Sequence, residues 1–275
     1  MHFNGFFVDS ITIKINIMKS LLSIFFILLL VNCSQKKEIK MNGAYSMQSQ
    51  VLNDGSKDTS INRKQLKIYT KDHVIYAAMR FPDSLASYGI GTYDIVDGNV
   101  IEHLFYTSAN GNKKDTFSLA IDKSDKGYKQ IIADLPSQGK MYKLTEEYEN
   151  VGKGDSTALD GAWKQTTNFY IDRKGDTSSN PNVTEFKVYQ NGQFIWAASY
   201  PDSTKKLLTF FGFGKFEMDG NTKSKEVNAL STYPPLIDTT MHVELEFMGN
   251  DSYKQTIIQK DSSRSIEIYE RMKKD

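Results

Sequence analysis

Polar and apolar residues alternate with a period of two along most of the chain after Met41. The segments KIYT and FKVY, which begin at Lys67 and Phe186, show this alternation, and so do DTFSLAI at Asp115 and MHVELEF at Met241. Alternation places successive side chains on opposite faces of a β-strand. We count about eight such segments in each half of this region and no convincing amphipathic helix. The pattern therefore predicts an all-β protein, built as a sandwich or as an up-and-down barrel.

Short polar segments between the strands predict hairpin turns. Asn191-Gly192 and Asp97-Gly98 are typical of two-residue hairpin loops, because Asn, Asp and Gly tolerate the positive φ that such loops need. Asp219-Gly220 predicts another turn of this kind. The segment KDH, which ends at His73, occupies the place of the Asn191 turn in the other half. We therefore expect His73 to lie in a turn, exposed to water.

The two halves of this region repeat one another. VIYAAMRFPDS, from Val74, matches FIWAASYPDS, from Phe194, and five matched segments keep the same order in both halves. We assign the two repeats to residues 42–150 and 159–275, joined by a linker at 151–158. A period of about a hundred residues indicates a duplicated domain, because the repeats of solenoids are much shorter.

Three short motifs recur in both repeats. Each repeat opens with Gly-x-aromatic, ending at Tyr45 and Trp163, has a central Gly-x-Gly followed by an aromatic and an acidic residue, and ends with Glu-x-Tyr. In this combination the repeats resemble the lipocalin-like (calycin-type) domains of bacterial envelope lipoproteins. The resemblance implies two tandem up-and-down antiparallel β-barrels of about eight strands each. It implies no catalytic residue.

The resemblance also implies a structural role for residues at the two ends of each repeat. In lipocalin-like barrels a tryptophan of the first strand packs at the closed end beneath an arginine of the last strand, and Trp163 and Arg271 match this pair. A cation–π interaction would supply their attraction. The first repeat has Tyr45 and Asn150 instead, so we expect the closed end of its barrel to be less strongly fastened.

Residues 1–33 are similar to a bacterial lipoprotein signal peptide. The apolar run Leu21 to Val31 is too short for a membrane-spanning helix, and Leu30-Val31-Asn32-Cys33 resembles a lipobox. In that family of signals the cysteine is acylated and becomes the new N-terminus, so Cys33 would anchor the protein to a membrane, followed by a polar tether at 34–41. A plain signal peptide with an incidental cysteine is the alternative reading, and Met18 is a second candidate start.

Composition and motif spacing argue against several classes of function. The formal net charge of +1 predicts no nucleic-acid partner, and a single cysteine forms no intrachain disulfide. His73, His103 and His242 are isolated, so we expect no metal site and no cofactor. Neither Gly-x-Gly continues into the third glycine and helix of a dinucleotide loop, and no Gly-x-Ser-x-Gly elbow is present. We therefore do not expect an enzyme.

Aromatic residues at matched positions are the candidates for contacting a ligand. Tyr69 and Tyr189 are equivalent in one strand of the two repeats, and Tyr76 and Trp196 are equivalent in the next strand. They predict either an aromatic-lined cavity for a small ligand or a barrel filled by its own side chains, since small barrels are readily filled.

These observations leave three hypotheses for function. The first is a lipid-anchored cell-envelope protein that binds a small apolar or amphipathic ligand in its barrels. The second is a non-enzymatic structural or interaction module with filled barrels that contacts a protein partner in an envelope complex, and the third is an unrecognised envelope enzyme. Ser34 after the cysteine favours the outer membrane, and the lack of an acidic cluster beside it favours the periplasmic face.

Overall fold

The computed structural model of the protein describes residues 39–137 and 139–274. The predicted signal peptide, the acylation of Cys33, the second candidate start at Met18 and most of the tether lie outside the described residues. No helix within these two ranges is long and apolar enough to cross a membrane.

The first repeat forms an antiparallel sheet that closes on itself. Its strands are β1 (Gly43–Asn53), β2 (Asp58–Ser60), β3 (Arg63–Tyr69), β4 (His73–Arg80), β5 (Leu85–Val96), β6 (Asn99–Thr107), β7 (Asp115–Ser124), β8 (Gly127–Ser137) and β9 (Lys140–Asn150). From β3 onward each strand pairs with the next, β1 pairs with β3, and β9 pairs back with β1. These eight strands make barrel 1, and the short β2 only extends the pairing of β1.

The second repeat forms a barrel of the same design. Its elements are β10 (Gly161–Ile171), β11 (Thr177–Ser178), β12 (Thr184–Gln190), β13 (Gln193–Pro201), β14 (Leu207–Asp219), β15 (Lys223–Ser231), a 3₁₀ turn (Pro234–Leu236), β16 (Thr240–Phe247), β17 (Ser252–Ile258) and β18 (Arg264–Arg271). Strand β10 pairs with both β12 and β18, which closes barrel 2, and β11 is the counterpart of β2.

The prediction of an all-β protein with two tandem antiparallel barrels is confirmed. Two of the predicted hairpin loops also have the expected backbone. Asp97 and Gly98 have φ of 52° and 83°, and Asn191 and Gly192 have φ of 50° and 77°. Positive φ at both central residues gives the loop a twist that matches the twist of the flanking strands.

Strands β3, β4, β12 and β13 are buried on both faces. Tyr69 points into barrel 1, whereas the neighbouring Ile68 points outward, and both side chains are fully buried. The outward residues Ile68 and Ile75 belong to one apolar cluster with their counterparts Val188 and Ile195 of barrel 2. The outer faces of matching strands from the two repeats therefore form a core that the barrels share.

The predicted exposure of His73 is wrong. This residue is the first of β4, pairs with Thr92 of β5, and is only 3% exposed. It lies on the same outer face of β4 as Ile75, which the second barrel covers. Turn chemistry alone could not predict this burial, because it depends on contact between the repeats.

The linker is packed against both barrels. The Val151 amide donates a hydrogen bond to the Ala44 carbonyl oxygen at 2.9 Å, and Gln193 Nε2 donates to the Val151 carbonyl oxygen at 3.3 Å. Further along, the Gly154 amide donates to the Asn191 carbonyl oxygen at 2.8 Å. The linker therefore follows the junction of the two barrels.

Candidate functional site

A lysine lies inside each barrel, with its ammonium group removed from water. In barrel 1, Lys67 Nζ lies 3.1 Å from Glu102 Oε1 and 3.2 Å from Gln130 Oε1. The Tyr69 hydroxyl donates to the same Glu102 oxygen. The Lys67 and Glu102 side chains are each only 4% exposed. A buried ion pair of this kind is stable only when further hydrogen bonds satisfy both partners.

A second buried carboxylate of barrel 1 continues this network. Glu146 accepts hydrogen bonds from Gln50 and Gln130, and from the Tyr148 hydroxyl at 2.9 Å. Burial raises the pKa of the Tyr148 hydroxyl well above 10.0, so the hydroxyl remains a neutral donor. Gln65 Nε2 donates to the oxygen of that hydroxyl at 2.6 Å. The two carboxylates, the lysine and their amide and hydroxyl partners thus form one connected layer across barrel 1.

Barrel 2 contains the same layer at the matching positions. Lys187 Nζ lies 3.3 Å from both carboxylate oxygens of Glu226 and 3.0 Å from Gln255 Oε1, and the Tyr189 hydroxyl donates to Glu226 at 2.6 Å. Gln255 Nε2 in turn donates to Glu267, the counterpart of Glu146. We call these two layers the polar layers. The sequence carries a signal for them that our sequence reasoning missed: Lys67 and Lys187 alternate in phase with the inward-facing tyrosines Tyr69 and Tyr189.

The two polar layers differ at the position of Gln65. Glu185 of barrel 2 occupies the place of Gln65, and the Tyr269 hydroxyl lies 2.7 Å from both Glu185 Oε1 and Glu267 Oε2. One hydroxyl proton cannot be donated to two carboxylates, so one of the two carboxyl groups is protonated. Glu267 already accepts hydrogen bonds from Ser265 and Gln255, and Glu185 accepts a long one, at 3.4 Å, from Gln165.

The proton therefore belongs on Glu185. Burial, together with the negative charge of Glu267, raises the pKa of Glu185 from 4.5 to about 8. In barrel 1 the amide of Gln65 is the neutral donor at the same place. A protonated carboxyl in barrel 2 thus performs the hydrogen bonding that an amide performs in barrel 1.

Above its polar layer, barrel 1 contains a cavity of about 290 Å³. It lies towards the end of the barrel where β3 begins at Arg63, whereas Tyr69 at the other end of β3 pairs with Gly43 at the closed end. Its apolar wall consists of Leu104, Phe117, Ile132, Leu135 and Leu144. Its polar lining consists of Arg63, Gln65, Lys67, Tyr76, Ser87, Glu102, Gln130 and Glu146.

The four aromatic residues predicted to contact a ligand occupy two different depths. Tyr76 lines the cavity of barrel 1, and burial raises the pKa of its hydroxyl to about 12, so the hydroxyl is neutral. Tyr69 and Tyr189 are fully buried and donate to the carboxylates of the polar layers. Trp196 lies inside barrel 2, where its Nε1 donates to Asn228 Oδ1 at 3.1 Å.

At the mouth of barrel 2, aromatic rings stack in series. The Phe210 ring lies 5.2 Å from those of both Tyr200 and Tyr233, and the Tyr233 ring lies 6.2 Å from that of Trp196. Phe210 holds the position that Ser87 holds in barrel 1, since the two residues pair with equivalent alanines of the neighbouring strand. The mouths of the two barrels are therefore lined by side chains of very different size.

The Gly-x-Gly motif makes room for the inward aromatic residue and for a bulge. A Cβ on Gly89 would lie 2.7 Å from the Tyr76 ring, and one on Gly212 would lie 2.4 Å from Trp196 Nε1. A Cβ on Gly91 would lie 2.1 Å from a backbone oxygen of β6, where the register of β5 and β6 shifts. The motif is therefore steric in origin, as a glycine in a barrel strand often is.

The residues expected to close barrel 2 lie in contact. The Arg271 guanidinium is 4.0 Å from the centroid of the fully buried Trp163 ring. Arg271 also donates to the carbonyl oxygens of Asp160 at 2.8 Å and Ala158 at 3.1 Å. The Trp163 indole donates to the Leu159 carbonyl oxygen at 2.7 Å. These bonds tie the first and last strands to the end of the linker.

The closed end of barrel 1 has different partners. Tyr45 is buried and meets the Tyr128 ring edge-on at 4.9 Å, while Asn150 pairs with Tyr45 across the strands. Lys123 replaces the missing arginine more distantly, with its ammonium 5.9 Å from the Tyr45 ring centroid. Met41, two residues before Gly43, is buried in the core of barrel 1, as Leu159 is in barrel 2. The packed part of barrel 1 thus begins within the predicted tether.

Comparisons with known proteins show no family for this chain. No family model matches the chain, and no curated protein matches it. A redesigned β-barrel of known structure is 18% identical with a TM-score of 0.29, and the match covers 42% of this chain and 93% of that one. A protein of unknown function of the DUF3598 family from Nostoc punctiforme is 13% identical with a TM-score of 0.26, over 84% of this chain and 96% of that one.

Proposed function

We propose that this chain is a non-enzymatic binding protein of the cell envelope whose first barrel holds a small amphipathic molecule. The cavity of barrel 1, with its volume of about 290 Å³, is the observation that supports this most directly. Ligand pockets begin at about 300 Å³, so the occupant is small. An equal volume of liquid water would be roughly ten molecules.

The lining of the cavity suits a molecule with one polar and one apolar side. Glu146 and the Lys67–Glu102 pair already have several hydrogen-bond partners within the protein, so they form a polar floor that needs no ligand to satisfy it. Five apolar side chains from the strands opposite supply the other wall. A ligand gains affinity by covering these apolar groups, and gains orientation from the few polar ones.

The non-enzymatic part of the proposal rests on the placement of titratable groups. His73, His103 and His242 are all absent from the lining of the cavity. The raised pKa of Glu185 would suggest a catalytic acid. However, the matching residue of barrel 1 is an amide with the same hydrogen-bond partner, which supports a structural role for Glu185.

The location in the envelope rests on the lipobox-like sequence that ends at Cys33. We propose that Cys33 is acylated and anchors the protein to the outer membrane, facing the periplasm. Metabolic labelling with an alkyne fatty acid tests this: the protein should incorporate the label, and Cys33→Ala should not. Equal labelling of the variant would contradict acylation at Cys33.

Native mass spectrometry of the purified protein tests the binding function. We expect a small molecule to co-purify with it and to be lost in Ser87→Phe, which places the bulk of barrel 2's Phe210 at the mouth of barrel 1. The matched control, Phe210→Ser, changes barrel 2 alone and should leave the bound molecule in place. Purification without any bound molecule would favour the interaction-module hypothesis.

A further inference from the structure

Two arginines face each other at the mouth of barrel 1. Arg63 begins β3 and pairs directly with Arg80, the last residue of β4. Both alternate in phase with inward-facing side chains of their strands, Arg63 with Lys67 and Arg80 with Tyr76. Like charges directly opposite each other on adjacent strands destabilise a sheet. A negative charge nearby would therefore stabilise this pair.

Only one of the two arginines receives that charge from the protein. Arg80 binds Asp83 through its Nε and Nη2 atoms. Arg63 forms no ion pair with any residue in the described part of the chain, and its buried Nε has no hydrogen-bond partner there. A buried donor without a partner is destabilising, so a ligand that accepts a hydrogen bond from it is favoured.

The other charged groups of the cavity lining already have partners within the protein. Lys67 pairs with Glu102, and Glu146 accepts three hydrogen bonds. The guanidinium of Arg63 is therefore the charge that remains available to a ligand. The hydroxyl groups of Tyr76 and Ser87, which line the same cavity, are additional donors for an anion.

Barrel 2 lacks this arrangement. Thr184 pairs with Ser199 as Lys64 pairs with Met79, so Val183, which directly precedes β12, and Tyr200 hold the places of Arg63 and Arg80. The polar layer is common to both barrels, so the opposed arginines are not needed to build a barrel of this type. They are specific to the barrel that contains the described cavity.

We propose that the ligand of barrel 1 carries an anionic group that binds Arg63, and an apolar body that packs against Leu104, Phe117 and Ile132. This inference rests on the proposed binding function and specifies its ligand class. Arginine suits the role because its planar fork binds carboxylate and phosphate oxygens in a bidentate manner. The anionic group is thus a carboxylate or a phosphate ester.

Titrations of the full chain with three small probes, followed by NMR chemical shifts, test this class. Benzoate and phenyl phosphate carry the two anionic groups on the same ring, and benzyl alcohol is their neutral counterpart. We expect at least one anion to bind about tenfold or more tightly than benzyl alcohol, as one charge-assisted bond provides. Whichever anion binds more tightly identifies the preferred group. Equal dissociation constants for all three probes would overturn the anionic class.

The variant Arg63→Val, which introduces the barrel 2 residue, should abolish the preference for the anion while leaving benzyl alcohol binding unchanged. Arg63→Lys keeps the positive charge but cannot bind an anion in the bidentate manner of a guanidinium, so it should retain part of the preference for the anion. An unchanged preference in Arg63→Val would overturn the assignment to Arg63. If benzyl alcohol binds the wild type but not Ser87→Phe, the cavity is a ligand-binding site. The proposed binding function then stands even if the anions bind no more tightly than benzyl alcohol. If no probe binds wild type, both proposals fail.

Discussion

The two barrels are alike at the depth of their polar layers and different at their mouths. Both contain a buried lysine, two glutamates, a glutamine and two tyrosines in the same bonding pattern. At the mouth, Ser87 of barrel 1 is replaced by Phe210, and Arg80 by Tyr200. Two copies that retain the polar layer while their mouths diverge indicate that the layer is part of how this barrel is built, whereas the mouth can differ from one barrel to the other.

Removing one charge of a polar layer should lower the free energy of unfolding more than any other change proposed below. Lys67→Met leaves Glu102 buried without its cation, and Lys187→Met does the same to Glu226. We expect each to lower the free energy of unfolding by about 3–5 kcal/mol. Denaturant titrations of both variants measure this.

A sharper form of this test restores the charge balance. Lys67→Met combined with Glu102→Gln removes the stranded carboxylate, and should recover part of the lost stability. If Lys67→Met and Lys187→Met differed by more than about 2 kcal/mol, the two layers would not be energetically equivalent.

Substitutions at the closed ends should lower the free energy of unfolding by smaller amounts, which differ between the two barrels. Arg271→Ala loses the contact with Trp163 and the hydrogen bonds to the backbone carbonyls of Ala158 and Asp160, so we expect it to lower the unfolding free energy by about 2–3 kcal/mol. Lys123→Ala removes a cation 5.9 Å from the Tyr45 ring centroid and a long hydrogen bond, 3.4 Å, to the Tyr45 hydroxyl, and should cost about 0.5–1 kcal/mol. Equal costs in thermal or denaturant unfolding would show that the two ends are fastened alike.

The last difference between the barrels concerns the pH dependence of stability. The pKa of Glu185 is about 8 in the folded protein, above its unfolded value of 4.5, so the folded state holds the extra proton between these values. The stability due to this proton is fully present below about pH 4.5 and is lost as pH rises towards 8. Glu185→Gln should remove this dependence and raise the unfolding free energy at pH 8 by about 1–2 kcal/mol.

The reverse exchange in barrel 1 is the matched control. Gln65→Glu places a second carboxyl beside Glu146 and Tyr148, and should introduce a loss of stability with rising pH that the wild-type barrel 1 lacks. Unfolding curves between pH 5 and 8 compare both variants. A Glu185→Gln profile that still falls with pH would assign the proton to another group.

The repeat and the strand alternation were sufficient to predict a duplicated all-β domain, because period-two patterning directly determines which side chains share a face. The closure of each sheet into a barrel was implied by the resemblance to lipocalin-like domains. Alternation could not predict that Ile68 and Val188 belong to one core between the barrels. An apolar residue on an outer face gives the same sequence pattern whether it contacts solvent or another barrel. The exposure of His73 was mispredicted for this reason. The cavity could not be predicted either, because it depends on the combined volumes of side chains from many strands, with Ser87 small where Phe210 is large.

The core between the barrels has a consequence for the chain as a whole. Equivalent residues of the two repeats, such as Ile68 with Val188 and Ile75 with Ile195, supply both sides of that core. A contact made by the same patch on both partners is the isologous type found in two-fold homodimers. The protein is thus built as a dimer whose subunits are covalently joined. Expressed alone, each repeat would expose this apolar surface to water and would associate with a second copy of itself. Neither half is therefore an independent module that can be moved to another protein.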